Sequence, residues 1–138
     1  MFITYVLGVV IDPEEGTFGG LTKKKGPIYL LNRRTFPGGK AEKKETPSVA
    51  ISREYLEEAG IYIAPEDWKV ISDVSTAEYR LIRLAARSSL VKNVRQMEAE
   101  PVWVGNIAEE LARAVTHPDD YVDDFVSSLQ GALTLLAN

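Results

Sequence analysis

The chain has 138 residues, of which 45% are hydrophobic and 26% charged, with a net charge of -4 and a pI near 5.1. These values fit one globular domain over residues 1–138, able to bury roughly two-thirds of its unfolded surface. The absence of cysteine excludes disulfides and thiolate metal sites, the single histidine argues against zinc, and the acidic balance argues against general nucleic-acid or anionic-membrane binding.

The opening run FITYVLGVVI, Phe2 to Ile11, is rich in β-branched and aromatic residues and reads as a buried strand. It is too short to cross a bilayer and lacks a basic flank or cleavage site, which makes a cytoplasmic location without membrane contact the default. Residues Asp12 to Pro27 are broken by glycines and prolines and carry Lys23-Lys24-Lys25, so a loop or irregular hairpin with a solvated lysine run is expected. Ile28 to Arg34 reads as a second short strand, followed by a turn at Phe36-Pro37-Gly38-Gly39. Thr46-Pro47 has the form of a helix start, threonine as cap and proline at the first position, and Gly60 is placed to end that helix.

Val70 to Thr76 and Tyr79 to Ala86 read as two strands joined by a tight connection, and Val102 to Val104 as a short strand running into a helix over Ile107 to Val115. Apolar residues from Val122 through Leu136 recur at spacings of three and four, the mark of an amphipathic helix. Asp119, Asp120, Asp123 and Asp124 suit its positive end, and His117 reads as a capping residue at its start. Interleaved strands and helices imply a mixed sheet covered by helices.

One window carries chemistry. From Gly39 to Ile61 the chain reads GKAEKKETPSVAISREYLEEAGI, which places Glu45, Arg53-Glu54, Glu57-Glu58 and Gly60 at fixed intervals. Glu54, Glu57 and Glu58 lie at i, i+3 and i+4 of the expected helix, within an arc of roughly 100°. Like charges so close repel, and a hard divalent cation such as Mg²⁺ offsets that repulsion with oxygen ligands shared between carboxylates and substrate phosphates. Three carboxylates suggest a multi-metal cluster. A guanidinium at Arg53 both neutralises and aims them. Taken alone, the glutamates would be an ordinary solvated face; the glycines, Glu45 and Arg53 in register favour the functional reading.

The window resembles the signature of the Nudix hydrolases, G-x5-E-x7-R-E-U-x-E-E-x-G-U with U a bulky apolar residue, at every charged and glycine position. The resemblance implies an α/β/α sandwich around a mixed β-sheet and hydrolysis of a diphosphate linkage with Mg²⁺ or Mn²⁺. It makes Glu54, Glu57 and Glu58 metal ligands, with a backbone carbonyl from Gly38, and gives Arg53 and Glu45 orienting roles. Tyr55 stands where the family usually carries leucine, isoleucine or valine, so its hydroxyl needs a partner if the ring is buried.

Outside the helix, family members often carry a further acid before a tryptophan-bearing strand. Met97-Glu98-Ala99-Glu100-Pro101-Val102-Trp103 occupies that place. Glu98 is favoured as an added catalytic acid and metal ligand, with Glu100 as its rival, since alternation would put both on one side. Lys40 is placed to neutralise a departing phosphate. Arg33 and Arg34 end a strand on opposite faces, so one of them, taken as Arg33, is placed to reach substrate phosphate. Tyr79 follows Ile61 at a spacing that resembles dinucleoside polyphosphate hydrolases, and would stack on a base.

The expected activity is pyrophosphohydrolysis of a nucleoside triphosphate or a related nucleoside diphosphate-linked compound. The alternatives are a dinucleoside polyphosphate hydrolase and a non-catalytic nucleotide-binding module. The expected partner is a small nucleotide, not a stable nucleic acid, with a homodimer compatible with the sequence.

Overall fold

A computed structural model describes residues 2–137. Ten elements carry the fold: β1 (Ile3–Asp12), β2 (Thr17–Thr22), β3 (Arg34–Thr35), β4 (Gly38–Lys40), α1 (Pro47–Ala59), β5 (Lys69–Ser75), β6 (Tyr79–Arg87), β7 (Val102–Asn106), α2 (Ile107–Thr116) and α3 (Phe125–Leu136). The sheet is mixed. β1 and β6 run parallel from Ile3↔Tyr79 to Ile11↔Arg87, whereas the other strand pairs are antiparallel, and the main order is β3-β2-β1-β6-β5.

Alternation along β1 separates two cores. Val6 and Val10 join Ile51 and Tyr55 of α1, while Val9 and Ile11 join Phe125 and Leu129 of α3. The sheet is therefore sandwiched, with α1 on one face and α2 and α3 on the other, as expected. β1 meets β2 only at Ile11 and Asp12; its earlier residues Tyr5 to Leu7 pair with β4 instead. A cavity lined by residues of β1 and β4 opens where the two strands pair.

Several local expectations change. β2 lies inside the stretch expected to be irregular, and β7 pairs along it from Thr17 to Leu21. Its glycines, poor strand formers in isolation, are demanded by packing: a Cβ at Gly19 would come within 2.2 Å of the Tyr55 hydroxyl, and one at Gly20 within 2.4 Å of the Trp103 ring. The expected strand at Ile28–Arg34 is instead a 3-10 turn over Ile28–Leu30, with Ile28 and Tyr29 turned to solvent, followed by the two residues of β3. The glycine turn contains strand β4. His117 caps the end of α2, not the start of α3, and Asp119 and Asp120 belong to a 3-10 turn ahead of α3.

Candidate active site

The acidic helix forms where its caps place it. Thr46 Oγ1 accepts the Val49 N–H at 3.3 Å, Pro47 opens the first turn, and Gly60 ends α1 in the left-handed conformation at φ 77°. Ala50, Ile51, Tyr55 and Ala59 anchor the helix in the core, which turns Arg53, Glu54 and Glu57 to the other side.

Arg53 is the hub of that side. Its Nε and Nη2 donate to the two oxygens of Glu45 at 2.8 and 2.9 Å, and Nη2 also reaches the Lys40 carbonyl at 3.0 Å. Its Nη1 donates to Glu54 at 3.0 Å and to Glu57 at 3.3 Å. The guanidinium holds the Glu45 carboxyl below its ordinary range, and Glu45 in turn holds the Arg53 proton more tightly. Glu54 goes the other way: its burial outweighs the attraction of Arg53 and raises its pKa.

Glu58 points inward and is 7% exposed. Its Oε1 accepts the Gly38 N–H at 2.8 Å. Burial pushes its carboxyl up to about 8; the Gly38 hydrogen bond opposes this, and repulsion from Glu54, Glu100 and Glu98 adds to it. Both glycines of the turn are needed for approach. A Cβ at Gly38 would lie 2.3 Å from the Val6 carbonyl oxygen, and one at Gly39 would lie 2.5 Å from the Glu54 carboxyl carbon.

Glu58, Gly38 and Gly39 border a cavity of about 400 Å³, whose wall also includes Tyr5, Phe36 and Leu81. Apolar and aromatic walls beside a few polar groups suit a nucleoside attached to phosphates. A larger hollow of about 670 Å³ begins at Lys40 and includes Lys43, Lys44 and Arg80. Of the three helix carboxylates, only Glu58 lines either hollow, and it lines the smaller one together with Glu100.

The structure distributes the remaining candidates unevenly. Lys40 lines the larger hollow, while its carbonyl holds Arg53. Tyr79 is partly exposed and meets Tyr5 edge-on, ring centroids 6.1 Å apart. Arg33 donates to the Tyr121 carbonyl at 3.3 Å and is not in the wall of the smaller cavity. Arg34 packs over Trp103 and Tyr121 and pairs with Glu110. Glu98 is exposed, though its charge contributes to raising Glu54 and Glu58. Glu100 is 8% exposed and lines the cavity beside Glu58. The expectation of a shared side for Glu98 and Glu100 fails because their segment is a bend, not a strand, and alternation does not operate there.

Of the cavity wall, Gly38 and Glu58 are assigned to the site by sequence reasoning, and Glu100 is weighed only as the rival of Glu98; the apolar wall residues, with Lys23 and Leu30, are missed. Lys23 reads as part of a solvated run, and only the tertiary return of its loop brings it to the wall.

Among the described residues, no set of three acidic or histidine side chains is gathered closely enough to hold one ion. Glu54 and Glu57 are turned onto Arg53, and Glu58 onto the Gly38 N–H. The donor set nonetheless fits a hard divalent cation: all its donors are oxygens, carboxylates and one backbone carbonyl, and the buried Glu58 carboxyl, raised by desolvation and like charges, gains from a nearby positive charge.

The comparisons with known proteins agree with this arrangement. A 55-residue stretch is 44% identical to the 8-oxo-dGTP diphosphatase of Escherichia coli (strain K12), covering 40% of this chain and 41% of that relative. The chain thus spans about two-fifths of that relative's length in the match. Among solved structures, MutT described for Aliivibrio salmonicida and Vibrio cholerae superposes with a TM-score of 0.68 at 18% identity, covering 92% of this chain and 98% of that one. MutT from Methanosarcina mazei Go1 gives 0.68 at 17% identity over 99% and 96%, and an ADP compounds hydrolase 0.73 at 17% over 97% and 72%. At those identities the structures speak to fold alone. The NUDIX domain model matches residues 7–120, a span that holds β4, the whole of α1 and the cavity wall apart from Tyr5 and Val6. With the sandwich, the acidic helix and that match in agreement, the chain belongs to the NUDIX domain family.

Proposed function

We propose that this protein is a divalent-metal-dependent pyrophosphohydrolase that splits a nucleoside triphosphate into monophosphate and pyrophosphate. The observation that carries the reading is the placement of Glu58, backed by Glu54, at the polar end of an aromatic and aliphatic cavity of nucleoside size. The E. coli relative, named an 8-oxo-dGTP diphosphatase, supports a purine deoxynucleoside triphosphate as first choice.

Glu54, Glu57, Glu58 and Glu98, with the Gly38 carbonyl, would hold Mg²⁺ or Mn²⁺. The bound cation supplies polarisation of phosphoryl oxygens and a lowered pKa for the attacking water. Arg53 keeps Glu54 and Glu57 aimed and is itself fixed by Glu45 and the Lys40 carbonyl. Glu98, which is exposed to solvent, would accept the proton of the attacking water, directly or through one water. The cavity wall of Tyr5, Phe36 and Leu81 holds the nucleoside and keeps water from that part of the site. Lys40 neutralises the departing phosphate from the adjoining hollow.

A second reading, dinucleoside polyphosphate hydrolysis, is favoured by Tyr79. Its ring packs against Tyr5, a wall residue, and is exposed enough to stack on a base. The test is a turnover screen with Mg²⁺ and Mn²⁺ over dGTP, 8-oxo-dGTP, the other nucleoside triphosphates, diadenosine tetraphosphate, and nucleotide diphosphates linked to a sugar or a lipid. Triphosphates should lead. A sugar- or lipid-linked diphosphate as best substrate would overturn the preference.

A further inference from the structure

The Lys23–Asn32 segment, which links β2 to β3, is a closed arm. Its neck is fastened by the Lys23 N–H to the Arg33 carbonyl at 3.0 Å and by the Asn32 N–H to the Lys23 carbonyl at 2.8 Å. Asn32 adopts φ 67°, a conformation asparagine tolerates, and its side chain accepts Lys24 Nζ at 2.6 Å. Ile28 and Tyr29 face solvent on this arm, whereas Lys23 and Leu30 line the cavity closed by Glu58.

Glu100 reaches this arm from the opposite loop. Its Oε2 accepts the backbone N–H of Lys24 at 2.8 Å and that of Lys25 at 3.3 Å, while the residue is 8% exposed. Burying a carboxylate close to Glu58 is costly unless it is well hydrogen-bonded, and the two amides supply those bonds. They also commit the Glu100 oxygen to the arm. Glu98, two residues earlier, is left exposed.

We propose that Glu100 is a positioning residue: its carboxylate latches the Lys23–Asn32 arm, holds Lys23 and Leu30 in the cavity wall, and thereby sets how tightly the nucleotide is bound. The proposal rests on reading that cavity as the nucleotide site. Glu100 acts through the arm and does not ligate metal. Glutamine retains an oxygen able to accept both amides, whereas methionine keeps the length and apolar bulk without an acceptor of comparable strength.

The experiment compares wild type, Glu100→Gln and Glu100→Met by steady-state kinetics on dGTP with Mg²⁺ and by hydrogen exchange of the Lys24 and Lys25 amides. Glu100→Met should speed exchange of both amides and raise KM about tenfold, with kcat within about twofold, the scale expected for hydrogen bonds to a charged acceptor. Glu100→Gln should restore KM and slow exchange. Loss of kcat in Glu100→Gln on the scale of Glu57→Gln would overturn the latch and make the charge itself the requirement. So would unchanged KM and unchanged exchange in Glu100→Met. If Glu100→Met does not fold, Glu100→Ala takes its place in both measurements, with the same outcomes expected and the same outcomes overturning the latch. A wild type inactive on every nucleotide would remove the proposed function, while amide exchange and the Kd of an α,β-non-hydrolysable dGTP analogue would still read the latch.

Discussion

Arg53 grips Glu45 with two parallel hydrogen bonds, Nε to Oε2 at 2.8 Å and Nη2 to Oε1 at 2.9 Å, and this leaves Nη1 for Glu54 and Glu57. A lysine carries one charge centre on a flexible stem and cannot reproduce that fork. Arg53→Lys should therefore lower kcat on the order of 10- to 100-fold, since misplaced catalytic groups act mainly on the reacting geometry. Steady-state kinetics at saturating metal check this. Equal activity of the lysine variant would mean that charge alone is needed.

Glu58 makes stability depend on pH in a defined direction. Its folded pKa of about 8 lies above its ordinary value of 4.5, so the folded chain binds more protons than the unfolded one between those values. Its contribution is fully present below about 4.5 and is lost as pH rises through about 8. In chelator-treated protein, Tm should fall across that window, and Glu58→Gln should flatten the fall. A Tm that rises in wild type from pH 6 to 8.5, unaffected by the substitution, would contradict it.

Divalent metal should act against that same repulsion. Binding to the folded state alone adds roughly 2.7 kcal/mol at a hundredfold excess over Kd, a Tm rise on the order of 10 °C for a chain of this size. Thermal melts with Mg²⁺ and Mn²⁺ would show it, and the shift should grow with pH as the proton on Glu58 ceases to compete. No shift and no binding, with or without nucleotide, would return the acidic helix to an ordinary solvated face.

Tyr55 offers a stability prediction independent of catalysis. Its ring is fully buried and its hydroxyl has no hydrogen-bond partner among the described residues. Burying an unpaired hydroxyl costs about 1–3 kcal/mol, so Tyr55→Phe should hold or raise Tm. Gly19→Ala, which drives a Cβ onto that hydroxyl, should destabilise the fold by about 1–3 kcal/mol. Denaturant unfolding distinguishes the two, and a marked loss in Tyr55→Phe would indicate that the hydroxyl is served by buried water.

What was legible in the sequence is what local rules determine. The α1 caps follow from Thr46, Pro47 and Gly60, the acidic face from fixed spacing, and β1, β5 and β6 from their apolar runs. What was illegible depends on distant partners. β2 is a strand because Tyr55 and Trp103 fill the space its glycines leave, and no property of TFGGLT itself announces them. Ile28, Tyr29 and Leu30 look like a strand but sit on an arm held by Glu100, more than seventy positions away. For the same reason, spacing alone did not separate Glu98 from Glu100: one is exposed and the other is drawn inward by amides of the Lys24–Lys25 backbone.

The central claim is that the carboxylates of α1 support metal-dependent cleavage of a nucleotide phosphoanhydride. The most direct test follows dGTP and 8-oxo-dGTP by phosphorus NMR with Mg²⁺, for wild type, Glu57→Gln and Glu58→Gln. The account predicts monophosphate and pyrophosphate as the products, no turnover in chelator, and a loss of kcat on the order of 10²-fold or more in both variants without unfolding. Release of orthophosphate in place of pyrophosphate, or wild-type turnover in both variants, would contradict it.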